Sequence, residues 1–102
     1  MFRRKKKEMT LDDLRDIVTP IASKYNVKRI YLFGSRARGD YTEDSDYDFF
    51  LVLDYDKVTL VELGSFISEL EDALGKHVDF AYDSASEEFK AIIRDDMRLV
   101  YG

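Results

Sequence analysis

Asp46 and Asp48 stand two residues apart, and Asp48 runs directly into Phe49-Phe50-Leu51-Val52-Leu53. An apolar stretch of that kind reads as a buried strand. Side chains alternate along a strand, so both carboxylates would leave one face. Their Cα atoms would lie roughly 7 Å apart, at an advance of about 3.3 Å per residue. Two Asp on one strand face repel unless positive charge lies between them, and hard oxygen donors suit a divalent cation. From Gly39 to Asp56 the chain carries seven acidic residues and no basic one. A solvated acidic loop accounts for Asp40, Glu43, Asp44, Asp54 and Asp56, but poorly for Asp48. A calcium loop starting at Asp44 fails, because Phe49 stands where Gly is required and Tyr55 where Glu is required.

Asp79 lies within His77-Val78-Asp79-Phe80-Ala81-Tyr82, a second strand context. An exposed edge carboxylate accounts for it equally well. Joined to Asp46 and Asp48, it would complete three carboxylates on one sheet, the equipment for metal-assisted displacement at phosphorus. Gly34-Ser35 closes another apolar stretch. Backbone N–H groups at such a turn, with the Ser hydroxyl, can hold phosphate oxygens, and Arg36 and Arg38 add positive charge. A lone Gly-Ser pair is also an ordinary turn. The sequence has no P-loop and no dinucleotide-binding glycine pattern. With no cysteine, thiol nucleophiles, thiolate metal sites and disulfide scaffolds are excluded. The one histidine, His77, has no nucleophile-elbow motif beside it and reads as an ordinary residue at a strand start.

These residues need a scaffold. Thr10 and Asp13 have capping-box spacing, and Leu11, Leu14, Ile17, Val18, Ile21, Ala22 and Tyr25 recur with a helical period. Pro20 lies inside that pattern and predicts a kink or break. A strand follows over 27–33, then one helical turn at 36–38 ended by Gly39, a loop over 40–45 and a strand over 46–53. Thr59 and Glu62 cap a helix carrying Leu60, Leu63, Ile67, Leu70 and Leu74, stopped by Gly75. A strand over 77–82 comes next. Ser84 with Glu87 opens a last helix bearing Phe89, Ile92, Ile93 and Met97, and residues 99–101 form a short strand. This order predicts an α/β (α+β) fold: a small mixed β-sheet of three to four strands packed by helices.

The 102 residues allow one domain, spanning 10–102 behind a basic, frayed stretch over 1–9. The longest uninterrupted apolar run is five residues, so no membrane span is expected, and no signal peptide is legible. A cytoplasmic protein is the default. The net charge of −5 argues against stable nucleic-acid binding.

Gly34-Ser35, ten intervening residues, then Asp46-x-Asp48 resembles the G-S-x10-D-x-D signature of the polymerase-β-like nucleotidyltransferase superfamily. Leu32-Phe33-Gly34-Ser35-Arg36-Ala37-Arg38-Gly39 with Ser45-Asp46-Tyr47-Asp48 is similar to the minimal nucleotidyltransferases (MNT), small proteins commonly paired as antitoxins with a HEPN-domain toxin. The resemblance is strongest over 30–53, and the order of elements carries it over roughly 10–101. It implies the polymerase-β-like nucleotidyltransferase core and a Mg2+-dependent enzyme that takes ATP as substrate. Asp46, Asp48 and Asp79 would be the catalytic and metal residues, with two Mg2+ ions, and Asp79 would help activate the acceptor hydroxyl. Gly34 and Ser35 would cradle the β- and γ-phosphates. Arg38 would have a phosphate-facing or structural role, and Ser45 matches the residue before the first Asp on the nucleotide side. With about 100 residues taken up by the core, the acceptor is expected on a partner: a tyrosine hydroxyl of a HEPN-type toxin, modified with AMP. The alternative is a non-catalytic antitoxin or nucleotide-binding regulatory module that acts by contact.

Overall fold

The structure, a computed structural model, describes residues 9–102. The basic residues at 3–7, with the reading of a frayed terminus, lie outside the described residues. The elements are α1 (Leu11–Ala22), β1 (Val27–Phe33), α2 (Ser35–Arg38), β2 (Tyr47–Leu53), α3 (Leu60–Leu74), β3 (Val78–Tyr82), α4 (Glu87–Ile93), a 3-10 turn (Arg94–Asp96) and β4 (Arg98–Tyr101). The sheet order is β3-β2-β1-β4. β1 pairs antiparallel with β2 and β4, while β2 and β3, joined through α3, are parallel. The expected mixed sheet packed by helices is the fold. Among the described residues no helix is long and apolar enough to cross a membrane.

The caps form as their spacing dictates. Thr10 Oγ1 accepts from Asp13 N at 3.0 Å, and the Asp13 carboxylate accepts from Thr10 N at 3.1 Å. Thr59 and Glu62 make the same reciprocal pair at the start of α3, and Gly75 ends that helix in the left-handed region. Pro20 does not break α1: the helix runs through it and stops two residues on, at Ala22. So close to the end, the bond Pro20 cannot make is one of the last in the ladder, and little is lost. Tyr25 therefore lies beyond the helix, where its ring packs on Phe66 at 5.5 Å.

Alternation along β2 sorts the sheet into two faces. Tyr47, Phe49, Leu51 and Leu53 join Leu14 and Val18 of α1 and Phe66 and Leu70 of α3 in the main core. Asp48 and Phe50 belong to the other face, where Tyr31 meets Phe50 and Phe33 meets Phe89 of α4 edge-on.

The stripe α3 buries differs from the one its leucines suggest. Phe66 and Leu70 are fully buried, whereas Leu60 is 88% exposed. Leu63, Phe66, Leu70 and Leu74 fall within about 80° of one another around the axis, and Leu60 sits at the edge of that stripe in the first turn. Phe66→Ala is expected to cost about 3–5 kcal/mol, and Leu60→Ala less than about 0.5 kcal/mol, by chemical denaturation. Equal losses would show that the stripe is misassigned.

α4 begins later than expected. Ser86, not Ser84, is its cap, accepting from Phe89 N at 3.1 Å. A turn closed by Ala85 N donating to Tyr82 O occupies the preceding residues. Ile93 is buried there, while Ile92 is 78% exposed.

Candidate active site

β1 ends at Gly34, whose φ of 75° and ψ of −157° turn the chain into α2. Gly39 then closes α2 in the left-handed region, its N–H donating to Ser35 O at 2.9 Å. The β1–β2 register sets Asp48 opposite Phe33, so its carboxylate lies over Gly34. A Cβ built on Gly34 would stand 2.3 Å from Asp48 Oδ2. Asp79 is the parallel partner of Asp48 on β3. Asp46 lies one residue ahead of β2, not inside a strand as the sequence suggests, and His77 likewise lies one residue ahead of β3. Tyr47 N donating to His77 O at 3.1 Å ties these two entries together.

Asp46, Asp48 and Asp79 are thereby brought to one end of the open sheet face. Partial burial, then the negative charges of Asp79 and Asp46, hold the Asp48 carboxyl above the ordinary range, against the opposing charge of Arg38. One ligand atom from each of Asp46, His77 and Asp79 lies within 4.8 Å of the other two. His77 Nε2 is 3.1 Å from Asp79 Oδ1, and Nδ1 is 2.9 Å from Glu71 Oε2. That Glu71 oxygen also accepts from Val78 N at 3.0 Å. The hydrogen bond to Asp79, helped by the charges of Asp79, Asp46 and Glu71, raises the imidazole above its ordinary value despite some desolvation.

His77 is the site residue that sequence reading passed over. The signal was present in the pairing: with Asp48 beside Asp79 on parallel strands, two residues back on each strand must also be neighbours. In an NMR titration His77 is expected to lose its proton above the ordinary histidine range. Asp79→Asn should bring that midpoint down, since its carboxylate is the main cause; an unmoved midpoint would assign the shift elsewhere.

The two arginines have different parts. Arg38 is a structural tie, with Nη1 2.9 Å from Asp96 Oδ2 and Nε 3.2 Å from Asp40 Oδ2. Those bonds raise its own pKa, while its charge still reaches Asp48. Arg36 instead donates to Ser45 O, at 3.1 Å from Nε and 2.8 Å from Nη2. The Ser45 hydroxyl is engaged within its loop, accepting from Thr42 N at 2.9 Å. Ser35 opens α2 directly after Gly34. A cavity of about 190 Å³ between Thr10, Leu14, Leu32, Tyr41 and Tyr47 is lined by none of the three carboxylates.

Residues 14–100 match the family described as nucleotidyltransferase domain. The chain belongs to that family. Within the nucleotidyltransferase family, a Methanocaldococcus jannaschii relative provisionally named a protein adenylyltransferase is 46% identical over 52 residues. The match covers 49% of this chain and 52% of that protein, so the chain spans about half the length of this relative. A solved structure provisionally described as a minimal nucleotidyltransferase superposes with a TM-score of 0.73 at 26% identity, covering 91% of this chain and 98% of that one. One chain of a solved complex of a tri-AMPylated Shewanella oneidensis HEPN toxin with an MNT antitoxin shares the fold, with a TM-score of 0.65 at 19% identity over 91% of this chain and 73% of that chain.

Proposed function

We propose that this nucleotidyltransferase moves AMP from ATP to a hydroxyl of a partner protein, as an antitoxin acting on a HEPN-type toxin. The observation that carries the reading is the meeting of Asp46, Asp48 and Asp79 on one open face beside the Gly34 turn. The names of the relative and of the neighbouring complex supply the direction of transfer and the class of partner.

The donor set fits Mg2+. Three carboxylates offer hard oxygens, and partial burial with the charges of Asp79 and Asp46 raises the Asp48 pKa, a repulsion that a cation would relieve. Asp46 and Asp48 would hold two ions, with Asp79 beside them; when bound, the metal stabilises charge on the entering and leaving oxygens. The backbone N–H groups where Gly34-Ser35 opens α2 would take the β- and γ-phosphates, with the Asp48 carboxylate lying over Gly34. The acceptor oxygen bonds to the α-phosphorus as the bond to the β-phosphate bridging oxygen breaks and pyrophosphate leaves. Asp79, whose side chain is 59% exposed, would take the hydroxyl proton. Positioning and charge carry chemistry of this kind, so no cysteine is needed.

The test is to incubate the chain with Mg2+-ATP and a HEPN-domain protein encoded beside it, and to weigh the products. One or more AMP-sized additions on a hydroxyl of the partner are expected, and Asp79→Asn should suppress them more than it weakens ATP binding. A partner that is neutralised without gaining mass would replace transfer by contact inhibition.

A further inference from the structure

We infer that Arg36 is a positioning residue for Asp46, holding the carbonyl before it and the ring after it. The inference rests on the proposed reading that Asp46 is a metal ligand. The Arg36 guanidinium donates two N–H bonds to the Ser45 carbonyl. The same group stacks 4.2 Å from the centroid of the Tyr47 ring and 4.7 Å from that of Tyr41. Both chain neighbours of Asp46 therefore rest on one cation. Tyr47 is buried in the core and its N–H is fixed by His77 O, so the side after Asp46 is already held. The side before it belongs to the loop over 40–46, which Lys76 Nζ holds at the Glu43 carbonyl and Arg38 at Asp40, while next to Asp46 the bonds between Thr42 and Ser45 stay within the loop. Arg36 supplies the tie at Ser45, the residue directly before Asp46, and it does so from α2, the turn that Gly34-Ser35 opens.

Arginine suits this task and lysine does not. A planar guanidinium can aim two N–H donors at one carbonyl while lying over aromatic rings; an ammonium aims one N–H at that carbonyl and has no plane to stack. Because the bonds end on a backbone carbonyl, Arg36 acts through the position of its neighbour and not on the nucleotide.

The experiment follows Mn2+ binding by paramagnetic resonance in the presence of a non-hydrolysable ATP analogue, with no turnover needed. Arg36→Lys, which keeps one donor, should weaken Mn2+ binding roughly tenfold, and Arg36→Met, which keeps only the stem, should weaken it further, within the span of about 10–100-fold usual for residues supporting metal ligands. In an Asp46→Asn background the same Arg36 changes should have no further effect. A merely structural role would weaken binding equally in both backgrounds and would overturn the inference, as would unchanged binding in Arg36→Lys. If thermal melts show that neither Arg36 variant folds, Tyr41→Leu takes their place. It removes one ring and leaves the donors, with an expected two- to fivefold loss of about the size of one cation–π contact; unchanged binding there overturns the inference too. A wild-type chain that binds no Mn2+ with the analogue overturns the underlying reading, and this inference with it.

Discussion

Gly34→Val is expected to abolish nucleotide transfer and destabilise the domain together. Even the Cβ of alanine would meet Asp48 Oδ2 at 2.3 Å, Cγ at 3.1 Å and Cβ at 3.3 Å. The backbone corner at φ 75° and ψ −157° is in practice a glycine-only region, so any side chain also brings strain of about 1–3 kcal/mol. Asp48 could escape only by leaving the place where it faces Asp79. Gly64 is the control: it lies within α3 with nothing within 4 Å of a built Cβ, so Gly64→Ala should stabilise by about 0.5–1 kcal/mol. Denaturation curves and a transfer assay on both variants decide the matter. A Gly34→Ala chain that transfers at the wild-type rate would reduce Gly34 to a turn residue.

Asp48→Asn should separate the two properties that Gly34→Val loses together: transfer disappears and the fold gains stability. Partial burial and the charges of Asp79 and Asp46 raise the folded-state pKa of Asp48 above its unfolded value. The folded chain therefore binds this proton more tightly than the unfolded chain does. Stability from this group is complete below the unfolded pKa and is lost as pH rises through the folded one. At neutral pH, without divalent cation, the ionised Asp48 is a liability that Asn removes. The stability gained should shrink as pH falls through the folded pKa and vanish below the unfolded one. A variant less stable than wild type at neutral pH, or a gain that grows in acid, would show that the carboxylates do not strain the apo fold.

Much of this was legible because it depends on short-range chemistry. Both capping boxes, the left-handed glycines after α2 and α3, and the apolar stretches of β1 and β2 are each settled by residues within a few positions of one another. Where spacing permits two answers, the tertiary structure chose. Leucine spacing on α3 fits either Leu60 or Phe66 as core, and only the sheet beneath the helix selects Phe66. Ser84 and Ser86 can each cap a helix, and the turn at Tyr82–Ala85 decides between them. Of the site, Asp46, Asp48 and Gly34-Ser35 carry a linear pattern. His77 does not, because its relation to Asp46 exists only once β3 lies parallel to β2. Arg36 and Arg38 stand two residues apart, about 200° around a four-residue helix, so they leave opposite sides, and local charge could not say which would turn inward to Ser45 and which outward to Asp96.

The parallel pairing of β2 with β3 also sets an order of assembly. Gly34, Asp46 and Asp48 lie on an antiparallel pair joined by a short connection, so that half of the site closes a small loop and can form early. Asp79 and His77 arrive only after the chain has passed through all of α3 and returned to lie beside β2. Such non-local pairings are the slow part of folding. A chain still emerging from the ribosome would hold its Gly34 turn and first carboxylates before it held Asp79 and His77. On the proposed reading, catalytic competence is thus a late event, reached when the domain is nearly complete and β3 has closed that edge of the sheet.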